Sequence, residues 1–294
     1  DLVVAGGTEM MSYTGQIADP NTPPMIDSGN LELRAMHPQS HQGVCADAIA
    51  TLEGIDRETV DTLALTSQAR AARALEEGRF EKSLIAVKNP DGSVALDCEE
   101  FPRPNTTREG LLQLKTVFSV LCDVPIDEQG TTYGALIRQK YPELTEFNHV
   151  HHAGNSSGVV DGAAALLLAS EAYIQQTGMT PRARIVATAN MGDCPTLMLN
   201  APVAAAEKAL KKARLTKEDI DVWEINEAFA VVAERFMRKL DLDREKVNIN
   251  GGAIALGHPI GATGAILIGT ALDELERQQG RYALITMCAA GGMA

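Results

Sequence analysis

Short unbroken apolar runs punctuate the chain and read as strands: 2–5, 163–169, 182–190, 221–226 ("DVWEIN"), 246–250 ("KVNIN") and 282–287 ("YALITM"). Runs without polar alternation suit strands covered on both faces. Between them, apolar residues recur at helical spacing over 44–52, 57–78, 227–240 and 260–279, the last stopped by Gly280. The helix predicted over 201–215 sets Val203, Ala206, Leu210 and Ala213 on one side and Lys208, Lys211 and Lys212 on the other. "TKED" (216–219) offers a capping box. Residues 84–96 predict two short strands around the turn "NPDGS". The segment 11–40, with Pro20, Pro23, Pro24 and Pro38, reads as loop, and 116–141 as irregular. Strands and helices alternate from 159 onward, which predicts an α/β sheet protein. Residues 13–158 are less regular and read as an inserted domain. "DLVVAGG" at one end and "YALITMCAAGG" at the other both run an apolar strand into Gly-Gly, an echo that suggests two related halves.

Composition narrows the function classes. The chain has 294 residues, 45% of them hydrophobic, enough for a large core. With 26 Lys and Arg against 39 Asp and Glu the net charge is −13, and no basic run interrupts it. Nucleic acid is therefore excluded as an expected partner. No apolar stretch is long enough to span a membrane. The five cysteines (Cys45, Cys98, Cys122, Cys194 and Cys288) fit neither a zinc site nor a disulfide framework, and they predict reduced thiols in a cytoplasmic compartment.

The candidate chemistry gathers at strand ends and glycine turns. His258 follows Gly257 and precedes Pro259 at the entry to a predicted helix, where a positive helix end and a close-fitting backbone suit a base or oxyanion donor. Its ordinary alternative is a core histidine bonded to backbone. Gly252 and Gly257 have the spacing of a phosphate loop, but the Lys-Ser/Thr pair that should follow is missing. Cys288 ends the last strand before a glycine turn and is either a small core residue or a thiol able to shuttle a proton. Asn226 is either an N-cap or an amide that holds a water or carbonyl oxygen. "HVHH" (149–152) has no Cys or carboxylate at ligand spacing and reads as a polar loop, so no metal is expected. A thiol, an imidazole and an amide at strand ends point to acyl or carbon–carbon chemistry without a metal.

These segments resemble the thiolase family. "NINGGAIALGHPIGATGA" (248–265) is similar to its longest motif, and "NEAFA" (226–230), "AGNSSGVVDGAAA" (153–165), "CAAGG" (288–292) and "VAGGTEMMS" (4–12) resemble four more, in family order. "SQARAARALEEGRFEKSLIAV" resembles the helix and strand of the family's loop domain, so the likeness covers essentially the whole chain. It implies a layered α-β-α-β-α fold of two similar halves with an inserted loop domain. The expected division is 1–12 (end of the N-terminal half), 13–158 (loop domain), 159–181 (return to the N-terminal half) and 182–294 (C-terminal half). It implies an acyltransferase that thiolyses β-ketoacyl-CoA with CoA, or runs the reverse Claisen condensation, through a cysteine acyl-enzyme.

By motif, His258 would activate the nucleophilic cysteine and, with Asn226, hold an oxyanion through a water. Cys288 would be the acid/base, and the Ala290 N–H a second oxyanion donor where the family often has Gly. Ser157 and Gly158 would line the pantetheine path. CoA is then a substrate and no cofactor is implied. Acyl-CoA and CoA are the expected partners, and a cytoplasmic homodimer or homotetramer the expected assembly. The nucleophilic cysteine is expected upstream of Asp1, and without it the chain is expected to be inactive. Gln42 in "SHQGV" stands where many members have Met. The long 116–148 segment leans toward the degradative, fatty-acid type. The alternative is a non-catalytic thiolase homologue that binds CoA or lipid.

Overall fold

A computed structural model describes residues 1–18 and 26–294. In chain order the elements are β1 (Leu2–Met10), α1 (Met11–Ile17), α2 (Leu31–Met36), α3 (Gln42–Glu53), α4 (Arg57–Glu76), β2 (Val87–Lys88), β3 (Val94–Leu96), α5 (Arg108–Leu112), α6 (Phe118–Cys122) and α7 (Tyr133–Lys140). They continue with β4 (Asp161–Ala169), α8 (Glu171–Thr177), α9 (Ala201–Ala213), β5 (Val222–Ile225), α10 (Ala230–Leu240), α11 (Ala253–Leu256), α12 (Ile260–Gln278) and β6 (Ala283–Thr286). Among the described residues the strands pair two by two: β1 with β4, β2 with β3, and β5 with β6.

The core lies where α3, α4 and α10 meet β5. Val44, Ile49, Val60, Trp223, Ile225, Val231 and Phe236 are all buried there. Sequence explains each wall. α3 ends on Gly54 in the left-handed region, and α4 opens on Asp56, whose carboxylate accepts from Thr59 N–H. The predicted capping box forms at Thr216 and Asp219, around a single 3₁₀ turn. β5 and β6 run parallel, as an α/β unit requires, and every β5 residue is buried.

Several expectations are corrected. β1 and β4 are not buried on both faces. They form an antiparallel ribbon, Leu2 opposite Ala169 through Met10 opposite Asp161, which packs on α12. The outer side stays open, with Val4 71% and Leu167 56% exposed. Nor is Gly6-Gly7 a turn, because β1 runs straight through both residues. They are small because backbone crowds them: a Cβ on Gly7 would lie 1.9 Å from the Gly261 carbonyl oxygen.

Residues 182–190 form no strand. The carbonyls of Thr188 and Asn190 accept from Lys212 and Lys208 of α9 instead of from a neighbouring strand. "KVNIN" contributes one isolated bridge, Val247 to Trp223. There the Asn248 side chain, rather than its backbone, bonds Ile225 N–H and C=O, both at 2.9 Å. The helix expected from 227 starts at Ala230, since Phe229 is extended. Helices α1 and α2 occupy part of the expected loop, and α6 and α7 part of the segment read as irregular. The prolines Pro20, Pro23 and Pro24 lie outside the described residues.

Candidate functional site

Three loops converge, and main-chain hydrogen bonds stitch them together. Ser157 N–H donates to Ala228 O, Gly158 N–H to Ala253 O, and His258 N–H to Gly158 O, all within 3.0–3.1 Å. Ala230 N–H donates to Asn155 O at 3.0 Å. The motifs at 153–158, 226–230 and 252–258 therefore meet at one place, although up to about a hundred residues separate them in sequence.

At that place His258 meets Asn226, with Asn226 Nδ2 3.2 Å from His258 Nε2. The other ring nitrogen, Nδ1, lies 2.7 Å from Thr263 Oγ1. Burial pushes the His258 pKa below the ordinary histidine value, against the opposing charge of Glu9. The imidazole is thus neutral near pH 7, as a base must be. Glu9 accepts from Gly261 N–H in the first turn of α12, where a carboxylate suits the positive helix end. The Asn226 amide oxygen is buried and has no protein partner.

Cys288 follows β6, and the ends of β5 and β6 are tied by Asn226 N–H to Thr286 O at 3.1 Å. Its thiol is buried, and burial pushes its pKa up to about 12. Positive φ in this turn falls on Gly291 and Gly292, at 80° and 82°, and not on Ala290. An alanine therefore fits at 290 without backbone strain. Neither Asn226 nor His258 hydrogen-bonds a cysteine among the described residues.

Other residues shape the site without having stood out in the sequence. Glu227 is buried and accepts from Ser67 Oγ, Asn248 Nδ2 and Ile254 N–H, at 2.7, 2.8 and 3.2 Å. Burial raises its pKa even so. Ser67 in turn accepts from Gly252 N–H at 3.0 Å, which ties α4 to the glycine loop. A Cβ on Gly252 would lie 2.3 Å from Glu227 Cδ, and one on Gly158 2.2 Å from the Phe101 ring. Thr263 sits one helical turn beyond Pro259, and only folding puts its hydroxyl on the imidazole. "GNSSG" (154–158) spells a G-x-S-x-G nucleophile elbow, but Ser156 Oγ is buried with no partner and pairs with no base.

"HVHH" is not a polar surface loop. His151 and His152 are fully buried. Asp47 accepts from His149 and His151, each at 2.7 Å, and Asp61 pairs with His152 at 2.7 Å. These carboxylates come from α3 and α4, so no local spacing could reveal them. Among the described residues no cluster of three or more His, Cys, Asp or Glu could hold a metal ion.

The model of "Thiolase, N-terminal domain" matches residues 1–124, and that of "Thiolase, C-terminal domain" matches 179–294. The acetyl-CoA acetyltransferase of Thiocystis violacea is 36% identical over 99% of this chain and 70% of its own length. The chain belongs to the thiolase family. The beta-ketoadipyl-CoA thiolase of Acinetobacter baylyi is 39% identical, over 98% of this thiolase chain and 69% of its own length. Human mitochondrial 3-ketoacyl-CoA thiolase superposes on all of this thiolase and 70% of itself, with a TM-score of 0.77 and 35% identity. The same human enzyme in complex with CoA gives a TM-score of 0.79 at 34% identity over 69% of its length. The thiolase layered α/β fold is therefore the fold of this chain. No helix among the described residues is long and apolar enough to cross a membrane.

Proposed function

We propose that this thiolase chain takes part in acyl transfer between CoA thioesters, either thiolysis of β-ketoacyl-CoA by CoA or the reverse Claisen condensation. The observation that carries the reading is the pairing of a neutral, half-buried His258 with Asn226, 3.2 Å apart, at the meeting point of three loops. In this reading His258 takes a proton from the acyl-accepting thiol. His258 and Asn226 then hold the thioester oxygen through a water, for which the free Asn226 oxygen is an anchor. Cys288, a protonated thiol at neutral pH, delivers a proton at the substrate α-carbon or the CoA sulfur. The Ala290 N–H serves a second oxyanion, and Ser157 and Gly158 border the pantetheine arm. The human relative's complex with CoA supports CoA as the shared substrate. The reading includes the four-part division at 12, 158 and 181, degradative fatty-acid chemistry, a cytoplasmic location and a homo-oligomer.

The second reading is a thiolase homologue that binds CoA or lipid without acyl transfer. Calorimetry with CoA and a thiolysis assay with acetoacetyl-CoA separate the two. Binding with turnover that His258→Ala abolishes supports the enzyme. Binding without acetyl transfer supports the second reading, and no CoA binding overturns both.

A further inference from the structure

The hydrogen bonds around His258 decide which of its nitrogens carries the proton. Thr263 Oγ1 lies 2.9 Å from Pro259 O and 2.7 Å from His258 Nδ1. A hydroxyl has one proton and two acceptor lone pairs. Two oxygens 2.9 Å apart need that proton between them, since otherwise their lone pairs face each other. Thr263 therefore donates to Pro259 O, a bond to the carbonyl four residues back along α12. Toward the imidazole it can only accept, so Nδ1 must carry a hydrogen. A neutral imidazole has one N–H, which leaves Nε2 bare. On that side Asn226 Nδ2–H is the donor, and each of the three contacts then has one donor and one acceptor. Thr263 is 3% exposed, so water does not compete for its hydroxyl.

We infer that Thr263 is a positioning residue that fixes His258 as its Nδ1–H tautomer, so that Nε2 carries no proton and can accept one from the reacting thiol once that thiol takes the place of Asn226 as its donor. The catalytic meaning rests on the thiolase reading above, but the tautomer itself does not. A histidine held the other way would present an N–H, which cannot accept the thiol proton. In a serine-protease triad, the wrong tautomer costs about 10⁴-fold in kcat. The charged group nearest this network is Glu9, whose carboxylate caps Gly261 N–H.

The test is nitrogen-15 NMR of the chain labelled at its six histidines. Spectra are taken above the His258 titration, and His258→Gln identifies the resonances. We expect the proton on Nδ1 in the wild type and in Thr263→Ser. In Thr263→Val, which keeps the volume but removes the acceptor, the tautomer ratio should move toward Nε2–H by roughly threefold to tenfold, the worth of one hydrogen bond. A wild type protonated at Nε2 overturns the inference. So does Thr263→Val with an unchanged ratio. If Thr263→Val fails to fold, the wild-type and Thr263→Ser spectra still decide. CoA and turnover play no part in this readout, so a failed thiolysis assay overturns the functional reading alone.

Discussion

Replacing Asp47 should destabilise the chain far more than a surface acid would. Its carboxylate is fully buried and accepts from four donors: the ring nitrogens of His149 and His151, and the N–H groups of Val150 and His151. Asp47→Ala leaves all four without an acceptor. His149 is partly exposed and can turn to water, whereas His151 is fully buried and its Nε2 has no partner to take a proton toward. The two buried main-chain N–H groups have no escape to water either. At about 1–3 kcal/mol for each orphaned buried donor, the loss should be about 3–5 kcal/mol. That is a large share of the about 5–15 kcal/mol that holds a typical domain together.

Urea denaturation followed by circular dichroism measures this. Asp47→Asn should lose less, because one oxygen remains to accept. A loss below about 1 kcal/mol for Asp47→Ala would refute the reasoning. pH offers a second check. Burial alone would raise the Asp47 pKa, but the bonds from His149 and His151 hold it below the ordinary value. A group with a depressed folded pKa stabilises above its unfolded pKa of 3.8, and that contribution disappears as pH falls through the lower folded value. The wild type should therefore lose more stability than Asp47→Asn on acidification below about pH 4.

Gly7→Ala should lower the melting temperature and cost about 1–3 kcal/mol, because its Cβ meets the Gly261 carbonyl oxygen at 1.9 Å; an unchanged calorimetric melt would contradict that contact. His258 has a folded pKa below its unfolded one, so its contribution to stability is present above the unfolded value of 6.5 and declines as pH falls below it. Any thiolysis should follow the same group, with an acid limb whose midpoint lies below 6.5 in a pH–rate profile. Iodoacetamide followed by peptide mass spectrometry should label exposed Cys98 and half-buried Cys194 readily. It should spare Cys45 and Cys288, whose buried thiols are pushed up to about 12. Arg108→Ala, which cuts an exposed pair to Glu58, should change unfolding free energy by less than about 1 kcal/mol.

The helices and the loops of the candidate site were the legible part of the sequence. Apolar spacing located α4, α9 and α12, each of which buries one stripe against a neighbour, and also α3, which is buried all round from Gly43 to Ala50. The five motifs located His258, Asn226 and Cys288, and the fold brings the first two together. What stayed hidden depends on distant partners. The carboxylates of Asp47 and Asp61 meet His149, His151 and His152 from about a hundred residues away. Apolar content alone could not tell whether 182–190 had a strand neighbour, and lysines of α9 take its carbonyls instead. The Thr263 hydroxyl reads as one more helix residue until α12 is wound. Asn248, replacing a strand with its side chain, breaks a periodic pattern in a way composition does not foretell.

The glycine at 252 has a genetic consequence. It is less a flexible joint than a socket filled by the Glu227 carboxyl, as Gly158 is filled by Phe101. A side chain in such a socket evicts its occupant, so a change at one position calls for a change at the other. A strain disabled by Gly252→Ala should regain folded protein through second changes concentrated at Glu227 and Ser67. Suppressors of Gly158→Ala should instead gather at Phe101, on a segment whose own sequence gives no hint that it belongs to the site.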